Sequence, residues 1–157
     1  MKIRSLAPSD WELKRRLRLA ALTDSPQAFG SSYEREAGYT ETDWRLWPAN
    51  GVFFAAFADD ERALGIAAGY REPSSPAVAR LISMWVAPEA RRLGVAAQLT
   101  ASVVAWTREQ DAEWLELEVA PGNDAAMQAY LRSGFVLTGR TPSRACGAVL
   151  ELMLSTG

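Results

Sequence analysis

The residues with the clearest chemical potential lie at 91–96, where the sequence is RRLGVA. This stretch joins an apolar run at 78–86, typical of a strand, to a helical pattern at 95–109. Backbone amides at a helix N-terminus lack intrahelical acceptors, and the helix dipole is positive there. Gly94 and Ala96 leave the backbone open to a ligand, and no Ser, Thr, Asp or Asn stands ready to cap this helix. The stretch therefore predicts an anion site of the kind that binds phosphate.

A structural role would also account for residues 91–96, because a glycine relaxes any tight turn and exposed arginines are commonly solvated. The stretch differs from the established phosphate loops, since neither GxxxxGK[ST] nor GxGxxG occurs in it. The residue types alone leave the anion site and the plain turn equally open.

Composition limits the chemistry that the rest of the chain can supply. The 157 residues include one cysteine and no histidine. These counts exclude an internal disulfide, the usual zinc clusters and catalysis by Ser-His-Asp or Cys-His groups, so no metal site is expected. Acid–base chemistry must come from carboxylates, tyrosine, lysine, cysteine or water. The net charge of −2 lacks the basic surplus of a nucleic-acid-binding protein, so no nucleic-acid partner is expected.

The apolar segments are short. The longest run, at 52–58, falls far short of the ~20 residues that a membrane-spanning helix needs. Residues 1–16 contain no apolar stretch that would serve as a signal peptide. We therefore expect a cytoplasmic protein with no membrane partner.

Hydrophobic periodicity predicts the elements that position these residues. Strands are predicted at 2–6, 52–58, 64–70, 78–86 and 114–119, with two closing strands in 135–140 and 148–154. Helices are predicted between Ser9 and a stop at 23–26, at 95–109 and at 124–133, with one or two short helices in 27–50. This order predicts a single α+β domain over residues 1–157. Its mixed, mostly antiparallel sheet of six to seven strands is expected to be flanked by about four helices.

The first predicted helix has an apolar and a charged side. Leu13 and Leu17 are expected to face the core. Lys14, Arg15 and Arg18 are expected to face solvent, because charged side chains are rarely buried.

Two longer motifs resemble the GCN5-related N-acetyltransferase (GNAT) family. The sequence VAPEARRLGVA at 86–96 is similar to the family's [RQ]-x-x-G-x-[GA] signature, preceded by its strand-ending V-x-P. The sequence LELEVAPGNDAAMQAYLRSGF at 115–135 is similar to its second motif, an L-x-V strand followed by N-x-x-A and Y-x-x-x-G-F. The resemblance implies the acyl-CoA N-acyltransferase fold. It also implies transfer of an acetyl group from acetyl-coenzyme A to an amine.

The resemblance further implies how acetyl-coenzyme A binds. Its pantetheine arm is expected to follow the backbone of Met84, Trp85 and Val86 as an added strand. In the family, a bulge in this strand opens a V-shaped cleft, where an unpaired amide can bind the thioester carbonyl. The pyrophosphate is expected on backbone amides near the start of the next helix. These belong to Arg91, Arg92, Leu93, Gly94, Val95, Ala96 and Ala97.

Tyr130 falls four residues before Gly134, where the family has its tyrosine, and the resemblance implies that it is the general acid. The leaving thiolate has a pKa similar to the ~8.5 of cysteine, and a phenol at ~10 can protonate it near neutral pH. Packing of the aromatic ring between a helix and the sheet is the alternative role.

Glu118 matches the glutamate that acts as base in family members acetylating the N-terminal amines of ribosomal proteins. The resemblance therefore implies that Glu118 deprotonates the acceptor. Alternation in the predicted strand places Glu116 and Glu118 on one face, beside the expected cleft. A water chain is the alternative base, and Glu34 and Glu36 are further candidates.

Three more side chains are assigned less direct roles. Asn123 is expected to cap the helix at 124–133 and, by resemblance, to contact the cofactor. Arg132 either reaches the 3′-phosphate of the cofactor or is solvated. Cys146 is expected to be a small buried or loop residue, because direct transfer needs no nucleophile.

Two other classes of function remain open. The first is a non-catalytic acyl-CoA sensor of the same fold, although a sensor has no leaving group for Tyr130 to protonate. The second is an interaction module built on the six tryptophans, most of which lie in apolar patterns typical of a core. The acceptor is expected to be a primary amine of a small molecule or peptide, favoured by the acidic balance. A homodimer through the last strands is expected by analogy alone.

Overall fold

One seven-stranded sheet forms the centre of the chain in the computed structural model, which describes residues 1–140 and 148–154. Its strands lie in the order β1-β2-β3-β4-β5-β7-β6, and every pairing is antiparallel except that of β4 with β5. The strands are β1 Lys2–Ser5, β2 Gly51–Phe57, β3 Ala63–Arg71, β4 Val78–Val86, β5 Trp114–Val119, β6 Val136–Leu137 and β7 Ala148–Met153. The predicted α+β class with a mixed, mostly antiparallel sheet is confirmed.

Five α-helices occur in these described residues, and two of them are the short helices that the sequence allowed within 27–50. They are α1 Trp11–Asp24, α2 Tyr33–Ala37, α3 Glu41–Leu46, α4 Val95–Glu109 and α5 Asp124–Arg132. The longest, α4, has 15 residues, and no helix within residues 1–140 and 148–154 is long and apolar enough to cross a bilayer.

The sheet has an apolar core on each face. Leu99 and Val103 of α4 pack on one face together with Ala67 of β3. Leu17 of α1 packs on the other face together with Ile66 of the same strand. Successive residues of β3 thus serve opposite cores, as the two-residue period of a strand requires.

The polar side of α1 differs from the prediction, because Lys14 and Arg18 are both buried. Lys14 Nζ donates a hydrogen bond to the backbone carbonyl of Trp47 at 2.7 Å, and burial lowers the pKa of Lys14. Arg18 pairs with Glu36 of α2. The expectation that Lys14 and Arg18 face solvent is therefore wrong, because partners distant in sequence satisfy both charges inside the protein.

Strands β4 and β5 pair over only part of their length. Their register joins Val78–Arg80 to Trp114–Glu116, and no pairing continues beyond Arg80 and Glu116 within the described residues. The C-terminal halves of the two parallel strands therefore diverge.

Candidate active site

A cleft of about 370 Å³ opens where β4 and β5 diverge. Residues 81–84 of β4 form one wall and residues 117–120, from the end of β5, form the other. Residues 28–31, between α1 and α2, also line it. The cleft is therefore a gap between two strands of one sheet, large enough to admit an extended chain.

A bulge in β4 lies at this gap. Across the β3–β4 pair, Ile66 faces Trp85 whereas Ala68 faces Ile82, so one residue of β3 lies opposite two of β4. Ser83 has a φ of 61°, in the left-handed region that residues with a Cβ rarely adopt. A bulge of this kind bends the strand that carries it and ends regular pairing. The bulge expected in this strand is present.

The turn before α4 presents backbone amides without acceptors. Gly94, at the N-cap of α4, has a φ of 82° and provides no side-chain cap, as predicted. Arg92 is also left-handed, with a φ of 66°. Along the part of the chain that the structure describes, no amide from residues 92–97 donates to a backbone or side-chain acceptor. Amides gathered in this way form a concave donor set that suits an oxyanion. The predicted use of the Arg91 amide is wrong, because that amide donates to the carbonyl oxygen of Pro88 at 3.4 Å.

The side chain of Arg91 is already engaged within the protein. Its Nη2 donates to Asp24 Oδ2 at 2.6 Å, and its Nε donates to the carbonyl oxygen of Val86 at 3.0 Å. The indole of Trp85 donates to the same oxygen of Asp24 at 2.9 Å. The hydrogen bonds from Trp85, Ser25 and Arg91 hold the pKa of Asp24 below its usual range. Arg91 therefore ties the turn to the end of α1.

Tyr130 lies in the wall of the cleft on α5. Its ring is buried and packs edge-on against Phe135, with 5.6 Å between the ring centroids. Burial raises the pKa of the Tyr130 phenol well above its ordinary value. A phenol in this environment keeps its proton at neutral pH.

Asn123 caps α5, as the sequence predicted. Its side-chain oxygen accepts a hydrogen bond from the backbone amide of Ala126 at 3.3 Å. The same residue lines the cleft next to Tyr130. Contact with a cofactor stays a prediction.

The two glutamates of β5 both line the cleft, on the face that alternation predicted. Glu116 is buried, and its two carboxylate oxygens lie 3.4 Å from Arg80 Nη1 and 2.9 Å from Arg140 Nη2. Tyr70 also lines this region, and burial raises its pKa. Glu118 lines the same cleft as Tyr130, and its role as the base stays a prediction.

Of the further candidate bases, Glu36 is already occupied. Both of its carboxylate oxygens accept from Arg18, at 2.7 Å from Nε and 2.9 Å from Nη2. This buried pair makes Glu36 unsuitable for taking a proton from an acceptor. Glu34 is exposed on α2, and neither glutamate lines the cleft among the residues described.

The two remaining residues singled out by the sequence are Arg132 and Cys146. Arg132 is exposed at the last position of α5, and its contact with a 3′-phosphate stays a prediction. Cys146 lies outside the described residues.

Sequence reasoning missed Arg18, whose guanidinium lines the cleft with Phe29 and Trp47. A signal for it was present in the helical spacing. Lys14, Leu17, Arg18 and Ala21 are all buried. These four positions follow the i, i+3, i+4, i+7 pattern of a single helix face.

Comparison by sequence identifies one family. A model of the Acetyltransferase (GNAT) family matches residues 18–135, which include β4, α4, β5 and α5. The match thus spans both motifs and every candidate site residue. A search among curated proteins gives no match.

Comparison by structure finds the same fold in solved acetyltransferases. A GNAT-family acetyltransferase from Streptococcus pneumoniae aligns with a TM-score of 0.77 at 17% identity, over 98% of this chain and 99% of that one. Ard1 from Thermoplasma volcanium aligns at 0.69 and 23% identity, over 98% and 97% of the two chains. PaiA N-acetyltransferase from Thermoplasma acidophilum, solved in complex with coenzyme A, aligns at 0.71 and 16% identity, over 98% of each chain.

Proposed function

This chain belongs to the GNAT family of acetyltransferases, and we propose that it transfers the acetyl group of acetyl-coenzyme A to a primary amine. The acceptor in this proposal is a small molecule or a peptide, and transfer occurs by direct attack while both substrates are bound. The observation that carries the proposal is the position of three features along β4 and its neighbours. A gap between β4 and β5 contains a buried tyrosine, and a turn with unpaired amides follows β4.

The chain has groups that fit coenzyme A. The amides of residues 92–97 have no acceptor within the described part of the protein, and a diphosphate would supply several. The divergence of β4 leaves room for an extended arm beside Met84, Trp85 and Val86. Coenzyme A was also present in the Thermoplasma acidophilum relative of the same fold. When bound, acetyl-coenzyme A supplies an activated acetyl thioester and a thiol leaving group.

The predicted role of Arg91 needs one adjustment in this proposal. Because Asp24 and the carbonyl of Val86 hold its guanidinium, Arg91 acts mainly by fixing the turn. Main-chain amides then carry most of the diphosphate contact, together with the exposed side chain of Arg92. Leu93, Gly94, Val95, Ala96 and Ala97 contribute backbone groups.

Proton transfers are assigned to two side chains. Glu118, or water positioned by it, takes a proton from the ammonium form of the acceptor, because only the neutral amine has a lone pair for attack. Attack of the neutral amine on the thioester carbonyl forms the C–N bond of a tetrahedral intermediate, the nitrogen releases its second proton to water, and collapse of the intermediate breaks the C–S bond. Tyr130 donates its phenolic proton to the departing sulfur. Burial raises the pKa of Tyr130, so the phenol enters the reaction in its protonated form.

A substrate screen tests this function directly. Acetyl-coenzyme A should raise the melting temperature, and incubation with a panel of polyamines, amino acids, aminoglycosides and peptides should release thiol. Mass spectrometry of the products then identifies the acceptor. A melting-temperature rise with no thiol release from any amine would favour an acyl-CoA sensor, and no rise at all would favour an interaction module.

Substitutions test the two assigned side chains. Tyr130→Phe should lower kcat by about 10²-fold or more, as expected for loss of a general acid, while coenzyme A still binds. Glu118→Gln should lower kcat at neutral pH and recover activity as pH rises. The matched control is Glu116→Gln. Glu116 lies two residues before Glu118 on the same face of β5 and is paired with Arg80 and Arg140. Equal losses in the two glutamine variants would contradict a specific role for Glu118.

A further inference from the structure

On the basis of the proposed function, we propose that Arg18 is a positioning residue that holds the bulge of β4 open through Ser83. Arg18 Nη1 donates a hydrogen bond to Ser83 Oγ at 2.9 Å. The contact joins α1 directly to the residue whose backbone departs from the strand. By holding Ser83, Arg18 sets the direction in which the following β4 amides point.

Ser83 needs external support for its conformation. Its φ of 61° lies in the left-handed region, where the Cβ of a serine crowds the following carbonyl oxygen. A residue keeps such a conformation only where the surrounding contacts hold it in place. The hydrogen bond from Arg18 is the side-chain contact that the structure gives Ser83.

Arg18 is itself held in one orientation. Its Nε and Nη2 donate to the two carboxylate oxygens of Glu36 at 2.7 and 2.9 Å, and both residues are buried. Its guanidinium carbon lies 4.6 Å from the ring centroid of Phe29 and 5.5 Å from that of Trp47. All three guanidinium nitrogens are therefore engaged, and Nη1 is directed to Ser83.

The consequence concerns the reacting end of the cleft. Met84, Trp85 and Val86 follow Ser83, and their backbone groups are the ones proposed to face the pantetheine arm and thioester. Relaxation of Ser83 to extended backbone would rotate these groups, because the bulge sets the direction of the strand beyond it. The amides of residues 92–97, proposed to bind the diphosphate, lie beyond the end of β4 and make no hydrogen bond to Arg18 or Ser83 in the described structure.

A serine-to-alanine and a serine-to-glycine substitution separate this role from general stabilisation. Ser83→Ala removes the hydroxyl that accepts from Arg18 but retains the Cβ that disfavours a positive φ. Ser83→Gly removes both, so glycine adopts the bulge conformation without support. We expect kcat to fall by about tenfold to 10²-fold in Ser83→Ala and to recover most of that loss in Ser83→Gly. The Kd of coenzyme A should change by a smaller factor than kcat in both variants, because the amides proposed to bind the diphosphate are not disturbed.

Two kinetic outcomes would overturn the proposal. The first is a wild-type kcat in Ser83→Ala, and the second is an equal loss in Ser83→Gly. A third test uses Arg18→Lys, which keeps the charge beside Glu36 but lacks the fork that reaches Ser83. Arg18→Lys and Ser83→Ala should each lower kcat, and the double variant should fall no further. Multiplied losses would contradict a shared role.

A readout independent of turnover distinguishes this inference from the proposed function. Amide hydrogen exchange in β4 should be faster in Ser83→Ala than in the wild type, and Ser83→Gly should resemble the wild type. Equal exchange in all three proteins would overturn the role of Arg18 even if the enzyme is active. If no amine is acetylated by the wild type, the proposed function fails, whereas the exchange pattern still decides whether Arg18 holds the bulge.

Discussion

Asp24 at the end of α1 is bound to Arg91 at the start of the turn before α4, with 2.6 Å between Oδ2 and Nη2. The same carboxylate oxygen accepts from the indole of Trp85 at 2.9 Å. The carboxylate of Asp24 therefore joins the end of α1 both to Trp85 of β4 and to the turn that is proposed to bind a diphosphate. An anion at this turn would have to compete with Asp24 for the guanidinium of Arg91.

The first prediction follows from this competition. Asp24→Asn removes a negative charge near the proposed diphosphate and releases Arg91 to approach it. We expect the Kd of coenzyme A to fall by about three- to tenfold at low ionic strength, an effect that salt should weaken. Isothermal titration calorimetry at two salt concentrations measures both quantities.

The control for this prediction is Asp60→Asn, which changes the net charge equally in the exposed turn between β2 and β3. Its Kd for coenzyme A should equal that of the wild type. An unchanged or weaker affinity in Asp24→Asn would contradict the competition and would indicate that Asp24 orients Arg91 productively.

The second prediction concerns Gly94. A Cβ added at Gly94 would meet no atom of the protein within 4 Å, so an alanine there is strained only by its φ of +82°. Gly139, with a φ of +75° and equally open surroundings, gives a matched control. We expect both alanine variants to lose about 1 kcal/mol of unfolding free energy, because a left-handed conformation is unfavourable for residues with a Cβ.

The two glycine variants should differ in binding. At Gly94 the new methyl group stands among the unpaired amides at the start of α4, where it would hold a diphosphate away from the backbone. The Kd of coenzyme A should rise about tenfold or more in Gly94→Ala and stay at the wild-type value in Gly139→Ala. Equal affinity in the two variants would show that no anion lies against Gly94.

Local patterns predicted the fold well because the sheet strands carry their own signals. Alternation in β5 correctly placed Leu115 and Leu117 in the core and Glu116 and Glu118 at the cleft. The missing cap at Gly94 was also visible, because it depends on which residues precede one helix. Such features involve neighbours only a few residues apart.

Features that depend on distant partners escaped the sequence. Arg18 is buried because Glu36 and Ser83, which are 18 and 65 residues away along the chain, satisfy its guanidinium. Charge alone suggested an exposed position, and local reasoning has no access to such partners. The left-handed φ of Ser83 is similarly hidden, since serine carries no preference for that conformation.

The third prediction uses the pH dependence of stability at Tyr130. Burial raises the pKa of this phenol in the folded protein, whereas an unfolded tyrosine ionises at about 10. Below pH 10 both states keep the proton, so its burial does not make stability depend on pH. Above pH 10 the unfolded chain releases the proton and the folded chain retains it. Stability therefore falls as the pH rises through this range.

Removal of the phenol should abolish this component of alkaline destabilisation. Between pH 9 and pH 11, wild type should lose about 1.4 kcal/mol more unfolding free energy than Tyr130→Phe, since one pH unit above the unfolded pKa corresponds to that amount. Urea unfolding at a series of pH values measures the difference. Tyr33→Phe, which removes an exposed hydroxyl on α2, controls for the exchange of a phenol for a phenyl ring. Parallel pH profiles for wild type and Tyr130→Phe would show that Tyr130 ionises as readily in the folded protein as in the unfolded chain, and would contradict the raised pKa.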